Sequence, residues 1–112
     1  MAQRIVEWTT TAIQQRRSIL KYWTLRNGST TYAEKIIRIS EKHTESIADN
    51  PFAFRATDFN DTHVAAMGHF SIYYKITDSI IFITAFWDNR QDPKKLIRLL
   101  KKMTAHNTRQ AS

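Results

Sequence analysis

The chain has 112 residues, 42% of them apolar and 24% charged, which suits one domain with its own core and argues against disorder. It has no cysteine, which excludes a disulfide scaffold and any thiolate metal site and fits a cytoplasmic location. Lys+Arg total 17 against Asp+Glu 10, so the formal net charge is +7 and the pI near 10, pointing to an anionic partner: nucleic acid, an anionic membrane or an acidic protein.

No signal peptide is evident, and no run of about 18 apolar residues is present to cross a membrane. From the N-terminus, "QRIVEW" (Gln3 to Trp8) reads as a short strand. A helix follows, with Thr11 and Gln14 at capping-box spacing and Asn27-Gly28 as its stop. Ile13, Leu20 and Trp23 mark its apolar stripe, flanked by Arg16 and Arg17. Thr31 and Glu34 repeat the capping spacing at the start of a second helix, which runs through Ile36, Ile37, Ser40, His43 and Ile47 and must end before Pro51. The two helices form an αα-hairpin joined by "NGST".

After Pro51 the period drops to two. "FAFRATDF" and "THVAAM" are expected strands separated by the turn-rich "DFND". In "HFSIYYKI", Phe70, Ile72, Tyr74 and Ile76 share one face, and His69, Ser71, Tyr73 and Lys75 the other. "IIFITAFW" is apolar on both faces and belongs in mid-sheet. Asp92-Pro93 reads as the N-cap and first position of a last helix, "PKKLIRLLKKM", and residues 105–112 are expected to be a frayed tail after a domain spanning 1–104. The order is an α+β arrangement: strand, αα-hairpin, a three- to four-stranded antiparallel sheet, and a C-terminal helix. Helices on one face of the sheet would leave the other open for chemistry.

Two constellations stand out. The polar face His69, Ser71, Tyr73, Lys75 offers imidazole, hydroxyl, phenol and ammonium about 7 Å apart, fit for phosphate or bases or simply for a solvated strand face. Arg90, Lys94 and Lys95 surround the start of the last helix, whose free N–H groups suit an anion, although Asp88 and Asp92 offset part of that charge. "EKHTE" lacks metal-ligand spacing. "DFNDTH" brings Asp58, Asp61 and His63 close in sequence, but Asp and Asn are what a turn wants, so a turn is the first reading there and a metal site the minor one. No Gly-rich phosphate loop, nucleophile elbow or zinc signature is present. No metal or cofactor is expected.

The segments "VEWTTTAIQQRRSILKYW", "YAEKIIRISEKHTESIADNPFAFR" and "MGHFSIYYKITDSIIFITAFWDNRQDPKKL" resemble, in order and spacing, the RelE/ParE superfamily of bacterial type II toxins. The last carries most weight: an "IYY" strand, an apolar strand, then "FWDNRQDP", similar to the family's strand ending in an Arg-x-x-Pro turn. The resemblance implies a toxin for plasmid stabilisation or growth inhibition, held by a cognate antitoxin in a hetero-oligomer. It implies either of two targets: DNA gyrase, blocked by ParE-like members, or mRNA on the ribosome, cut without a metal by RelE-like members.

For a nuclease, the resemblance would make His63 or His69 the base, with Arg55, Lys75 and Arg90 stabilising charge on the phosphate. RelE-like chains usually carry Arg at the positions of His63 and Ser71, and a Tyr or His near Asp88. An ionised Asp88 would repel phosphate, which favours the ParE-like branch, with Arg90, Lys94, Lys95 and Tyr73 as anion- or partner-binding residues. A basic nucleic-acid-binding domain without toxicity is the third reading.

Overall fold

The computed structural model describes residues 4–59 and 61–111, with side chains described through Lys102. Along the chain run β1 (Ile5–Trp8), α1 (Thr10–Asn27), α2 (Thr31–Asp49), a 3-10 turn (Pro51–Ala53), β2 (Arg55–Ala56), β3 (Thr62–Met67), β4 (Phe70–Ile76), β5 (Ile80–Asp88) and α3 (Pro93–Ala111). The five strands form one sheet in the order β1-β5-β4-β3-β2. The meander β2 to β5 is antiparallel, as expected, whereas β1 joins the sheet's other edge parallel to β5, Ile5 beside Ile80 and Trp8 beside Ile83. Gln3, expected to open β1, lies outside the described residues. The backbone of α3 continues through most of the stretch expected as a tail.

One face of the sheet carries the αα-hairpin. Ala12 and Ile19 of α1 and Ile36 and Ile47 of α2 pack on Ile72, Tyr74, Ile81, Ile83 and Phe86. The buried positions of α2 match its expected stripe, with Ser40 joining Ile36 and Ile47 by donating to the Ile37 carbonyl. Of the stripe expected on α1, Leu20 and Trp23 pack against this core, but its buried residues are Ala12 and Ile19, and Ile13 is 38% exposed. Thr9, not Thr11, closes the helix, its extended backbone still pairing with Ile83 while its Oγ1 accepts the Ala12 N–H at 3.2 Å. At α2 the N-cap is Thr30 rather than Thr31, with helical φ and ψ and no side-chain cap. Gly28 ends α1 with φ 67°, the left-handed conformation that its missing Cβ makes cheap.

Two further expectations are corrected. "FAFRATDF" is not a full strand: Pro51 starts a 3-10 turn, leaving only Arg55 and Ala56 to pair with Val64 and His63. The second face of the sheet is not open either. Leu96 and Leu100 of α3 bury against Ala85 and Trp87, with Phe59 and Tyr73 completing this smaller core. These two buried leucines contribute about 1.5–3 kcal/mol each to holding the first two turns of α3.

Strand β5 contains a bulge. Tyr74 pairs with Ile83 and Tyr73 with Ala85, so Thr84 is the extra residue. Where β1 stops, α1 takes over its backbone partners. The Ile83 carbonyl accepts both the Thr9 N–H at 3.0 Å and the Thr9 hydroxyl at 2.9 Å, and the Phe86 N–H donates to Gln15 Oε1 at 2.8 Å. Replacing Gln15 with Leu, similar in size but without an acceptor, leaves the Phe86 N–H unpaired. Denaturant unfolding should show a loss of about 1–3 kcal/mol, and an unchanged midpoint would mean that water replaces Gln15 there.

Candidate functional site

The rim where β5 ends is built by Asp88, Arg90 and α1. Asp88 is 9% exposed and its carboxylate takes a two-pronged grip on Arg90: Nε donates to Oδ1 at 2.9 Å and Nη2 to Oδ2 at 2.6 Å. The Arg90 N–H also donates to Asp88 Oδ1, at 3.0 Å. The same guanidinium lies over the Trp23 ring of α1, 4.8 Å from its centroid. The hydrogen bonds from Arg90 hold the Asp88 carboxyl below the usual carboxylate range, against the opposing effect of burial. Asp88 in turn raises Arg90. The negative charge that would repel a phosphate is therefore neutralised locally, and so is the cation that would attract one.

This rim opens into two adjoining hollows between α1 and the β5–α3 turn. One, of about 320 Å³, is lined by Ser18, Ile19, Tyr22, Trp23, Asp88, Arg90 and Gln91. The other, of about 410 Å³, continues along α1 from Ser18 back to Thr11 and reaches Lys95 and Leu99 of α3. Tyr22 and Leu25, at 53% and 73% exposed, stand on the same helix as apolar groups the core does not use. A larger hollow of about 510 Å³ lies between β1 and the end of α2, but its walls include Glu41, Glu45 and Asp49 and none of the expected site residues. Acidic walls make it unsuited to phosphate.

The other expected residues are dispersed. Arg55, Val64, Tyr73 and Ala85 are paired in one row across four strands, so Arg55 and Tyr73 share the α3 side of the sheet. Burial raises the Tyr73 phenol above 10.0, and the Arg55 charge partly offsets this. Lys75 is half-buried on that face, two residues along β4. His63 is not with them. Its row runs through Ala56 and Tyr74, on the αα-hairpin side. Its ring stacks on Tyr74 at 5.5 Å and meets Phe52 edge-on at 6.2 Å. His63 Nδ1 is buried with no hydrogen-bond partner among the described residues.

His69 is exposed in the β3–β4 turn, its carbonyl accepting the Asn89 N–H at 2.8 Å. Ser71, expected on an accessible face, is 4% exposed and donates to Asn89 Oδ1 at 2.8 Å. Lys94 and Lys95 are exposed on the first turn of α3. The N-cap is Asp92, as expected, and its Oδ1 accepts the Lys94 N–H at 3.0 Å, so a carboxylate already occupies the position an anion would take.

Sequence reasoning missed Trp23 as Arg90's platform, Gln15 as the anchor of β5, and Asn89 as the link between Ser71 and the Gly68 carbonyl. Exposed Tyr22 and Leu25 beside Trp23 gave the available signal, an apolar surplus on a helix otherwise polar. Because Asp88 has a depressed pKa in the folded state, it stabilises the protein fully above its unfolded value, near 3.8, and this is lost as pH falls through the lower folded value. In thermal melts, Asp88→Asn should lie below wild type near neutral pH, and the gap should narrow as pH falls below 3.8 through the lower folded value. Profiles that stay parallel as the pH is lowered through that range would show that the ion pair adds nothing to stability.

The family described as "ParE toxin of type II toxin-antitoxin system, parDE" matches residues 6–93. Among solved structures, the chain resembles one of the chromosomal ParDE toxin–antitoxin system from P. aeruginosa, with a TM-score of 0.67 at 16% identity, covering 77% of this chain and 96% of that one. It also resembles a chain of the RelBE2 toxin–antitoxin complex from Mycobacterium tuberculosis, with a TM-score of 0.56 at 14% identity, covering 78% and 99%. No curated protein matches by sequence. These similarities at low identity speak to the fold, and the family match spans most of the chain: it belongs to the ParE toxin family of type II toxin–antitoxin systems.

Proposed function

We propose that this ParE-family toxin acts by binding a protein target, with DNA gyrase the first to test, and that a cognate antitoxin silences it in a hetero-oligomer. The observation that carries this reading is the dispersal of the residues a nuclease would need. Cleavage by 2′-hydroxyl attack requires a base and cations converging on one phosphate. Here His63 packs on the opposite side of the sheet from Arg55, Tyr73 and Lys75. Arg90 is engaged by Asp88 and Trp23.

The groove between α1 and the β5–α3 turn supports the antitoxin part of the proposal. It offers an apolar floor at Ile19 and Trp23, an exposed Tyr22, and polar ends at Arg90, Gln91 and Lys95. An aromatic-lined groove of that kind suits an amphipathic segment of a partner. The two similar structures come from toxin–antitoxin systems, in keeping with such a partner.

A ribosome-dependent endoribonuclease is the second reading, favoured by the shared face of Arg55, Tyr73 and Lys75. Two assays separate them. Induced in cells, the toxin should arrest growth without codon-phased mRNA cuts, and purified toxin should inhibit supercoiling of relaxed plasmid by gyrase. Cuts that disappear in Arg90→Ala or His69→Ala would overturn the proposal in favour of the nuclease. Tyr22→Ala should weaken the antitoxin complex by about tenfold, or roughly 1.4 kcal/mol, and unchanged affinity would place the antitoxin elsewhere.

A further inference from the structure

The chain's positive charge is distributed very unevenly. Residues 1–92 carry 11 Lys or Arg and 10 Asp or Glu, whereas residues 93–112 carry six Lys or Arg and no acid. The last helix thus holds six of the seven net charges, and the rest of the chain is close to neutral. Moreover, the family match ends at residue 93, so this charge lies on an element outside the matched region.

Within α3 the charge has a direction. At 3.6 residues per turn, Lys94, Arg98, Lys101, Lys102 and Lys95 fall in one arc of about 120°. Leu96, Ile97, Leu99 and Leu100 occupy the opposite side. Burial agrees with this division: Leu96 and Leu100 are 2% and 5% exposed, while all five cations are exposed. Among the described residues, none of the five has an ion-pair partner. The sixth cation, Arg109, lies beyond the described side chains.

We propose that this face of α3 binds duplex DNA through its phosphate backbone, without sequence preference. Residues 94 to 102 span about 12 Å of helix axis, over which duplex DNA carries about seven phosphates. Five cations can therefore each meet a phosphate. The arc contains no Asn or Gln to read base edges and no aromatic ring on which a splayed base could stack. That composition selects backbone over sequence, and duplex over single strand. B-form DNA admits an α-helix to its major groove, whereas the major groove of A-form RNA is too deep and narrow. An anionic membrane suits the helix less well, because Leu96 and Leu100, the middle of its apolar side, are buried in the protein. Lys95 also lines the hollow along α1, but Lys94, Arg98, Lys101 and Lys102 line neither hollow at the rim, so the Lys101 and Lys102 variants test this surface independently of the toxin's protein target.

The test is fluorescence anisotropy of the full chain with a labelled 20-bp duplex of arbitrary sequence across a salt series. Five phosphate contacts predict that log K falls against log salt with a slope of about −4.5, at about 0.9 per contact. Lys101→Gln/Lys102→Gln should reduce that slope by about 1.8, and all five Gln substitutions together should abolish binding at moderate salt. Gln keeps helix propensity near that of Lys, and circular dichroism reports whether the fivefold variant folds. If it does not, the double variant decides. Neutralising Lys35, Arg38 and Lys42 of α2 should leave the slope unchanged. The proposal is overturned by no binding at 50 mM salt, by a double variant that keeps the full slope, or by equal affinity for an A-form RNA duplex. Sedimentation with phosphatidylglycerol vesicles that duplex DNA cannot compete away would likewise overturn it.

Discussion

The rim of this protein depends on one irregularity, the bulge at Thr84 in the central strand. In a regular strand Ile81 and Ile83 would share their face with Ala85 and Trp87. The extra residue swaps the remainder, so Phe86 and Asp88 join the αα-hairpin side while Ala85 and Trp87 turn to α3. Both faces of the sheet gain from the exchange. Phe86 completes the main core, and Trp87 gives α3 something to bury against. Asp88 arrives beside α1, where Arg90 can bridge it to Trp23. The bulge persists because the Phe86 N–H and the Ile83 carbonyl beside it find partners in Gln15 and Thr9.

The chemistry of the rim is a consequence of that placement. A guanidinium gripped by a carboxylate at two points and resting on an indole is a positioned recognition group, with little freedom to follow a moving phosphate. A carboxylate with a depressed pKa stays ionised at neutral pH and cannot serve as a proton donor. Both properties suit a surface that recognises a partner by shape and fixed charge. The adjoining groove, with Tyr22 and Leu25 exposed along α1, has the apolar content that a binding surface requires.

Helix α3 combines two roles on two sides. Its leucines close the second face of the sheet, and its cations are exposed on the other side of the helix. The separation matters energetically, since neighbouring like charges repel one another, and only the helix's apolar side contributes to holding it. The observed arc therefore concentrates an electrostatic cost on one short element, where an anion arriving from outside would relieve it. The rim around Asp88 and Arg90 and the cationic helix are neighbours in sequence, yet distinct in chemistry.

The amino-acid sequence by itself determined the α+β order, the αα-hairpin, the alternation of β4, the Asp92-Pro93 start of α3 and the family. These are local signals: caps, periodicity and turn residues act within a few positions of one another. Only the tertiary structure decided that β1 runs parallel to β5, since a four-residue strand carries no information about its neighbour's direction. It alone moved the cap of α1 from Thr11 to Thr9, because Thr9 answers to Ile83, 74 residues away. It alone separated His63 from Arg55, Tyr73 and Lys75, and gave Asp88 its partner. A site residue's type is written in the chain, but the face it occupies depends on strand register and on a single inserted residue. That register is set by long-range pairing and packing, which no local pattern reports.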